Sequence, residues 1–250
     1  VIGLAPALGP TLSGWIIDHY TWRYLFGMVI PIVILVLILA VFLMKSVIEL
    51  SHPKIDIFSA ILSTIGFGTL LYGFSSVGDK GWGSVEVISF LVVGVLFIAF
   101  FAWRQLHIEH PFLELRVFSS KTFTLAAILS GVTNMAMVGA EMVLPLYIQN
   151  IRGESAFHSG LMLLPGALVM GAMMPITGAI FDKYGAKRLA ITGMFILTAA
   201  TLPFAFLTKD TPILHIVILY AIRMFGISMV MMPVTTSGMT ALPGNLISHG

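Results

Sequence analysis

Eight long stretches of almost uninterrupted apolar residues limit what this chain can fold into more than any other feature. They cover residues 1–17, 24–44, 57–76, 85–104, 123–149, 158–181, 187–207 and 213–236. A helix needs about 20 apolar residues to cross the hydrocarbon of a bilayer. The stretches are continuous rather than alternating, so each is expected to be a helix that satisfies its own backbone hydrogen bonds in lipid. The sequence therefore predicts an all-α integral membrane protein.

The composition narrows the class further. Hydrophobic residues make up 58% of the chain and charged residues only 10%, far from the usage of soluble globular proteins. The basic residues stand singly in connections, so the net charge of +2 does not suggest a nucleic-acid partner. With no cysteine, the sequence excludes a disulfide framework, a thiolate nucleophile and a cysteine-held metal. His107 and His110 flank Glu109 without an evident third ligand, so neither a metal nor a cofactor is expected.

The connections between the apolar stretches predict how the chain crosses the membrane. Lys and Arg number eight in one set of alternating connections and four in the other. The richer set is Lys45, Lys54, Arg104, Arg116, Lys121, Lys183, Lys187 and Arg188, and the poorer set is Arg23, Lys80, Arg152 and Lys209. The richer set is predicted to be cytoplasmic, because positive residues are retained on that side. The longest connection, from about 105 to 122, surrounds Phe112 and Phe118 with charged residues and predicts a short helix at the membrane interface.

Two segments carry motifs of a known family. The first contains Gly3, Pro6, Gly9, Pro10 and Gly14 and is followed by Trp22-Arg23-Tyr24. It resembles the antiporter motif in the fifth helix of major facilitator superfamily exporters. The second contains Gly160, Pro165, Pro175, Gly178, Asp182, Gly185, Lys187 and Arg188, and is similar to the cytoplasmic signature loop of that superfamily. The stretches at 57–76 and 85–104 resemble the two additional helices of its fourteen-helix drug:proton antiporters.

The resemblance implies a partial helical bundle of the major facilitator superfamily type, from about helix five to helix twelve. Residues 1–44 would then be the end of the N-terminal bundle, and residues 123–250 the first part of the C-terminal bundle. Residues 45–122 would be two linker transmembrane helices and the interfacial segment. The chain opens at Val1 inside an apolar stretch and ends at Gly250 just after another, so the remaining helices of a full-length transporter are expected on both sides.

The antiporter motif also has a physical interpretation. Pro10 and Gly14 lie four residues apart on one helical face, as do Ala5 and Gly9, and small residues allow helix backbones to approach closely in lipid. Ordinary helix packing explains this spacing. The resemblance implies in addition a bent seal that closes the cavity when the transporter opens inward.

The second motif is expected to form a cytoplasmic latch between helix ends. Gly178 would permit tight packing, and Gly185 suits a turn with positive φ. Asp182 could cap the next helix and pair with Lys187 or Arg188. Such a contact could break as two bundles move during alternating access. The alternative is a simple anchor of positive charge on the cytoplasmic side.

Two ionisable residues, Glu141 and Arg223, lie deep inside the predicted spans. At 1.5 Å per residue they lie about 12 Å and about 15 Å from the outer ends of their helices. A charge in hydrocarbon is costly unless it faces a partner, a cavity or a proton path, so both are functional candidates. Glu141 is predicted to bind and release the driving proton, with Arg223 or a cationic drug favouring its ionised form. The alternatives are a permanent ion pair between the two residues and an anionic substrate bound by Arg223.

Candidate substrate-binding residues share a helical face with Glu141 or Arg223. They are Asn134, Met137, Gly226 and Ile227. Methionine is frequent at this level of the chain, and its unbranched side chain can repack around apolar ligands of different shapes. Core packing or contact with lipid explains most of these methionines equally well.

These observations predict a proton-coupled multidrug efflux transporter, a multi-pass protein of the cell membrane, most consistent with a bacterial cytoplasmic membrane. Its partners would be small-molecule drugs, protons and the lipid bilayer. A uniporter or importer on the same fold remains an alternative. An intramembrane enzyme is a further alternative, but it needs at least two catalytic groups in one membrane layer, and the sequence carries no HExxH or phosphate-binding glycine motif. No enzymatic activity is therefore predicted.

Overall fold

The computed structural model describes residues 5–43, 56–108 and 111–243, with the backbone alone for residues 5–7. All regular structure in these ranges is helical. The α-helices are α1 (Ala5–His19), α2 (Arg23–Leu43), α3 (Ile57–Lys80), α4 (Val85–His107), α5 (Lys121–Leu146), α6 (Ala156–Tyr184), α7 (Ala186–Thr201) and α8 (Ile213–Thr240). Three further segments are helical with a different pitch: a 3-10 helix at Leu115–Ser119, a π-helix at Tyr147–Ile151 and a 3-10 helix at Leu202–Phe206.

Seven described helical segments are long and apolar enough to cross a membrane. They are Arg23–Leu43, Ile57–Lys80, Val85–His107, Lys121–Ile151, Ala156–Tyr184, Ala186–Phe206 and Ile213–Thr240. They coincide with seven of the eight predicted spans, and the first predicted span, residues 1–17, overlaps α1, which has 15 residues in the structure. The predicted all-α membrane architecture is confirmed.

Some boundaries differ from the prediction because polar residues continue the helices. The spans predicted to end at 76 and 104 extend to Lys80 and His107. The Nζ of Lys80 lies 2.6 Å from a carboxylate oxygen of Glu86, so this charged residue is neutralised at the point where α3 and α4 are connected. The short helix expected between 105 and 122 is a single 3-10 segment, Leu115–Ser119, and the Glu114 side chain accepts a hydrogen bond from the Arg116 N–H at its start.

The described helices form two compact units. One contains α1, α2 and α5–α8, and the other contains α3, α4 and the 3-10 helix at Leu115–Ser119. In the second unit, α3 and α4 pack closely at glycines: a Cβ on Gly94 would lie 2.6 Å from the Leu70 side chain. The buried Gln105 side chain donates to the Ser59 hydroxyl and accepts from the Leu113 N–H, which joins α3, α4 and the following connection. The predicted division into bundle and linker segments stays a prediction.

In the first unit, α6 and α7 both pack along α8, and α1 packs along α6. The core between these helices contains Leu163, Leu197, Tyr220 and Met224. No residue of α2 is buried, and nearly all of its residues are exposed. This unit holds both deep ionisable residues, Glu141 on α5 and Arg223 on α8.

Candidate functional site

Glu141 lies in a groove of about 310 Å³ between three helices. The groove, called here the Glu141 groove, is lined by Pro10, Ser13, Gly14 and Ile17 of α1, by Glu141, Pro145 and Gln149 of the α5 and π-helical segments, and by Ala156, Ser159 and Gly160 of α6. The residues from each helix recur at intervals of three and four, so each helix contributes one face. The sequence predicts the depth of Glu141, but not that the antiporter-motif helix forms a wall of its site.

Two residues that line the Glu141 groove each carry a buried polar side-chain atom with no hydrogen-bond partner among the described residues. One is Oε1 of Glu141, and the other is Oγ of Ser159, a residue with only 1% of its surface exposed. Buried polar groups are nearly always hydrogen-bonded in folded proteins. Two such atoms beside one groove distinguish this region from ordinary apolar helix packing. Ser159 is a candidate that the sequence analysis missed, because a lone serine near a helix start has no distinguishing pattern.

The helix that carries Glu141 changes its geometry just beyond this residue. Pro145 has no N–H, so it cannot donate to the carbonyl of Glu141 four residues earlier. The helix then becomes a π-helix at Tyr147–Ile151. Short π-helical segments are rare and are often found at functional sites. The Tyr147 hydroxyl donates to the carbonyl of Thr208, which ties this segment to the connection before α8.

Arg223 is 2% exposed and joins α8 to two other helices. Its Nε donates to Oγ1 of Thr201 at 3.1 Å, and its Nη2 donates to the carbonyl of Ala136 on α5. The remaining nitrogen, Nη1, is buried without a partner. Among the described residues, the ion pairs closer than 4.0 Å do not include one between Arg223 and Glu141. The permanent ion pair considered from the sequence is therefore not formed in this structure.

The four predicted substrate-binding residues lie in different surroundings. Asn134 is exposed, and its side-chain amide donates to the Ser130 carbonyl of its own helix at 2.9 Å. Met137 is partly buried against the core. Gly226 packs closely against α7, since a Cβ there would lie 2.8 Å from the backbone nitrogen of Leu197. Ile227 is fully buried in the core, so both residues of α8 take part in helix packing in this structure, and their assignment to substrate binding stays a prediction.

The antiporter motif packs against α6. A Cβ on Gly14 would lie 2.7 Å from the carbonyl carbon of Ala156, and a Cβ on Gly160 would lie 2.6 Å from the carbonyl oxygen of Pro10. The predicted close approach of helices is thus present at Pro10 and Gly14. Gly9 has no neighbour within 4 Å of an added Cβ. Gly3 and the side chain of Pro6 lie outside the described residues.

Asp18 adds a polar contact at the end of the same interface. Its Oδ2 accepts from the Phe157 N–H at 2.9 Å, and its Oδ1 accepts from the Ala156 N–H at 3.2 Å. These are the first two N–H groups of α6, which have no partner within the helix. The hydrogen bond from the Phe157 N–H, assisted by the Ser155 side chain, lowers the pKa of Asp18 below its ordinary value. The sequence analysis missed this contact, because Asp18 and α6 are far apart in the chain.

The second motif differs from the predicted latch. Helix α6 continues through Asp182 to Tyr184, so Asp182 cannot cap α7. The N-cap position of α7 is occupied by Gly185, whose φ of 76° is the positive value expected from the sequence. Ion pairs within the described ranges do not include one from Asp182 to Lys187 or Arg188. Gly178 faces Met232 of α8, where an added Cβ would lie 3.2 Å from Cε, and this agrees with a packing role.

Comparison with known proteins gives a consistent family. The sequence model of the Major Facilitator Superfamily matches residues 1–250. The MFS-type transporter YcnB of Bacillus subtilis is 51% identical over 250 residues, which cover 100% of this chain and 53% of that protein. The lincomycin resistance protein LmrB of Listeria monocytogenes is 42% identical, again over 100% of this chain and 53% of the relative. The multidrug resistance protein B homolog of Mycobacterium tuberculosis is 28% identical over 99% of this chain and 46% of the relative.

The chain thus spans about half the length of the curated relatives that it matches. Its membrane spans and its similarity to transporters of Bacillus and Listeria make it a multi-pass protein of the cell membrane.

Proposed function

The chain belongs to the major facilitator superfamily, and we propose that the full-length transporter exports hydrophobic or cationic drugs in exchange for protons, by alternating access. The observation that carries this proposal is the unpartnered carboxylate oxygen of Glu141, buried in a groove within a membrane-spanning segment. The names of two relatives, one for lincomycin resistance and one for multidrug resistance, support drugs as the substrate class.

Glu141 is the residue that we assign to proton binding. A carboxyl group in a membrane span can remain neutral when its surroundings are apolar, and it ionises when water or a cation reaches it. Arg223 is already bound to a hydroxyl and a carbonyl, so its contacts leave Glu141 free to change its protonation state. Arg223 is assigned a positioning role instead: its hydrogen bond to the Ala136 carbonyl holds α5 just before Glu141.

The contact between α1 and α6 is proposed to close the external side. The predicted orientation puts the Asp18 end of α1 and the start of α6 at the external face. Gly14 and Gly160 allow the two helices to meet, and Asp18 binds the free N–H groups at the start of α6. Outward opening would require this contact to part, since α1 and α6 are assigned to different bundles.

Transport in inside-out vesicles tests this function. The full-length transporter should move an apolar cationic dye such as ethidium into vesicles faster when a pH gradient is imposed, acid inside. Glu141→Gln should remove the stimulation by the gradient, because a neutral amide cannot carry the proton. Glu154→Gln is a matched control, since Glu154 is a carboxylate that pairs with His158 outside the Glu141 groove.

Each result decides between functions. An equal rate of dye movement with and without the pH gradient in the unmodified transporter would indicate a uniporter. Gradient-driven movement that persists in Glu141→Gln would contradict the assignment of the proton to this residue.

A further inference from the structure

We propose that a furrow along α6 and α8 binds one acyl chain of a phospholipid whose headgroup carries a primary ammonium group, with phosphatidylethanolamine as the simplest example. The headgroup would lie at the end of the two helices that the sequence predicts to be external. This lipid site is separate from the Glu141 groove. The inference goes beyond the proposed transport function and does not rest on it.

The furrow consists of two openings along the same pair of helices and is called here the α6–α8 furrow. The outer opening has a volume of about 430 Å³ and is lined by Glu154, His158, Leu161, Met162, Ile213 and Val217. The inner opening has a volume of about 440 Å³ and is lined by Val169, Ile196, Ala221, Ile222 and Phe225. Val217 and Ala221 are one helical turn apart on α8, so the inner opening continues the outer one along that helix.

On α8, the furrow faces away from α5. The side chain of Arg223 binds the carbonyl of Ala136 on α5, so this face of α8 points toward α5. Ala221 and Phe225 line the furrow and are each two residues from Arg223. Two residues correspond to about 200° around a helix with 3.6 residues per turn. The furrow is therefore on the side of α8 opposite to α5.

On α6, the furrow faces away from α1. A Cβ on Gly160 would lie 2.6 Å from the carbonyl oxygen of Pro10, so Gly160 marks the face of α6 that packs against α1. His158 and Met162 line the furrow and are each two residues from Gly160, again about 200° around the helix. The furrow and the Glu141 groove thus lie on opposite sides of α6, which keeps the two sites apart.

The length of the furrow matches one leaflet of a bilayer. At 1.5 Å per residue, residues 158–169 of α6 extend over about 17 Å and residues 213–225 of α8 over about 18 Å. The hydrocarbon of a bilayer is about 30 Å thick, so one leaflet contributes about 15 Å. Ile213 is the first residue of α8, so the outer end of the furrow coincides with the helix end. An acyl chain with its headgroup at that end would reach the inner end of the furrow.

The lining favours an acyl chain over another helix. Apart from Glu154 and His158, all lining residues are apolar. Helix interfaces in membranes are enriched in small residues, and the α1–α6 interface has Gly14 and Gly160 at its close contacts. In the furrow, Ala221 is the one small residue, and the other apolar side chains are those of leucine, methionine, isoleucine, valine and phenylalanine. A flexible acyl chain can follow such an uneven surface, whereas close approach of a second helix backbone requires small residues.

The charged groups at the outer end match a headgroup with both an ammonium and a phosphate. Oε2 of Glu154 and Nδ1 of His158 are 3.1 Å apart. When this Nδ1 donates to Glu154, the ring Nε2 is an acceptor, so the carboxylate and the ring can both accept from the three N–H donors of a primary ammonium. Arg152 places a positive charge nearby, since it donates to the carbonyl of Thr211, two residues before Ile213. Arginine pairs well with phosphate, so both charges of the headgroup meet the opposite charge.

Photo-cross-linking locates the acyl chain. The full-length transporter is reconstituted in vesicles of phosphatidylglycerol that contain a small fraction of phosphatidylethanolamine with a diazirine near the end of one acyl chain. After irradiation, mass spectrometry identifies the labelled residues. Label is expected on Val169, Ala221 and Phe225, at the inner end of the furrow. Label elsewhere on the transporter, without label on these three residues, would show that protein covers the furrow and would overturn the proposal.

A filled furrow should exclude the chain. In Val169→Trp, label on Ala221 and Phe225 should fall at least about tenfold, since excluding two methylene groups from an apolar site changes a binding constant by about that factor. Leu168→Trp is the matched control, because Leu168 precedes Val169, is exposed and lies outside the furrow. Thermal unfolding in detergent reports whether each variant is folded. Equal label in the two folded variants would overturn the proposal, and the map of the unmodified transporter decides the question if Val169→Trp does not fold.

The same probe with two headgroups tests the outer end. Diazirine-labelled phosphatidylethanolamine should label Phe225 about tenfold more than diazirine-labelled phosphatidylglycerol, the factor that corresponds to one hydrogen bond to a charged group. Glu154→Gln should bring this ratio close to one. Glu86→Gln is the control, because Glu86 is a carboxylate that pairs with Lys80 outside the furrow. Equal label from the two lipids in the unmodified transporter, or the same ratio in Glu154→Gln as in Glu86→Gln, would overturn the assignment of an ammonium headgroup to this site.

Discussion

The carboxylate of Asp18, at the end of α1, accepts a hydrogen bond of 2.9 Å from the backbone N–H of Phe157, in the first turn of α6. The second carboxylate oxygen accepts from the N–H of Ala156. The N–H groups in the first turn of a helix are usually bound by a residue at the start of the same helix, and in α6 Ser155 binds the N–H of His158 in this way. The N–H groups of Ala156 and Phe157 are bound by the Asp18 side chain of another helix. The α1–α6 interface therefore combines close backbone packing with a charge at the positive end of a helix dipole.

Replacing Asp18 should loosen the start of α6. In Asp18→Ala the N–H groups of Ala156 and Phe157 lose their acceptor, so their hydrogen exchange in the full-length transporter should accelerate, as measured by mass spectrometry. His19→Ala is the control, because the His19 ring bonds to the Trp15 carbonyl within α1. Unchanged exchange at both amides in Asp18→Ala would show that this contact does not protect them.

The pH dependence of this contact follows from the lowered pKa of Asp18. A carboxyl with a lowered pKa stabilises the folded contact fully above its ordinary value of 3.8, and the stabilisation is lost as the pH falls through the lowered value. Protection of the Phe157 amide, corrected for the intrinsic exchange rate, should therefore be constant between about pH 5 and pH 8. A loss of protection within that range would contradict the assignment of the cap to Asp18.

A side chain at Gly14 or Gly160 should force α1 and α6 apart. An added Cβ would meet backbone atoms at 2.7 Å or less at both positions, and a backbone cannot rotate away as a side chain does. Gly14→Ala and Gly160→Ala should each destabilise the full-length transporter by about 1–3 kcal/mol, the usual range for overpacking. Thermal unfolding in detergent measures this loss. Gly9→Ala is the control, since its added Cβ meets nothing within 4 Å and should leave stability nearly unchanged.

The architecture was predictable from the sequence because long apolar stretches form helices in lipid regardless of their neighbours. The turn at Gly185 was also predictable, since its positive φ depends on local backbone geometry. Residue depth along a helix follows from counting, and this identified Glu141. The direction in which a residue faces depends on which helices pack beside it. For this reason Gly226, at the correct depth for a substrate site, lies against Leu197 instead.

Partners supplied by the backbone are hidden from sequence analysis for a related reason. Arg223 binds the carbonyl of Ala136, and Asp18 binds the N–H groups of Ala156 and Phe157. Every residue has a carbonyl, and nearly every residue has an N–H, so no residue type marks these sites. Glu141 is the only acidic residue deep in the predicted spans, so an ion pair with Arg223 was a natural alternative. In the structure, Arg223 donates to neutral acceptors instead.

A double-mutant cycle distinguishes these two arrangements of Arg223. Arg223→Met removes the donor to Thr201 and Ala136, so it should destabilise the full-length transporter by about 1–3 kcal/mol, the cost of leaving buried acceptors unpaired. Glu141→Gln should change stability little, and the two effects should add. Thermal unfolding of both single variants and of the double variant gives the coupling energy. A coupling above about 1 kcal/mol would indicate a direct pair and contradict the structure.

Gln105 should control the connection that follows α4. Its side chain is fully buried, donates to the Ser59 hydroxyl at 2.6 Å and accepts from the Leu113 N–H at 3.0 Å. Gln105→Leu keeps a similar volume but leaves the Leu113 N–H without this acceptor, at a cost of about 1–3 kcal/mol if the group remains buried. The connection can avoid that cost by detaching, which makes the backbone beside the already exposed Arg116 easier for a protease to bind.

Trypsin cleavage at Arg116 in the full-length transporter should therefore be faster in Gln105→Leu than in the unmodified protein. Leu106→Ala is the control, because Leu106 is the next residue but is exposed, and its side chain does not bond to the connection. Equal cleavage rates in Gln105→Leu and Leu106→Ala would mean that the connection is held by other contacts, such as the buried Val117 side chain. Faster cleavage in Gln105→Leu alone would establish that one amide of α4, bonded to Ser59 of α3 and to the Leu113 N–H, fixes the path of the chain toward α5.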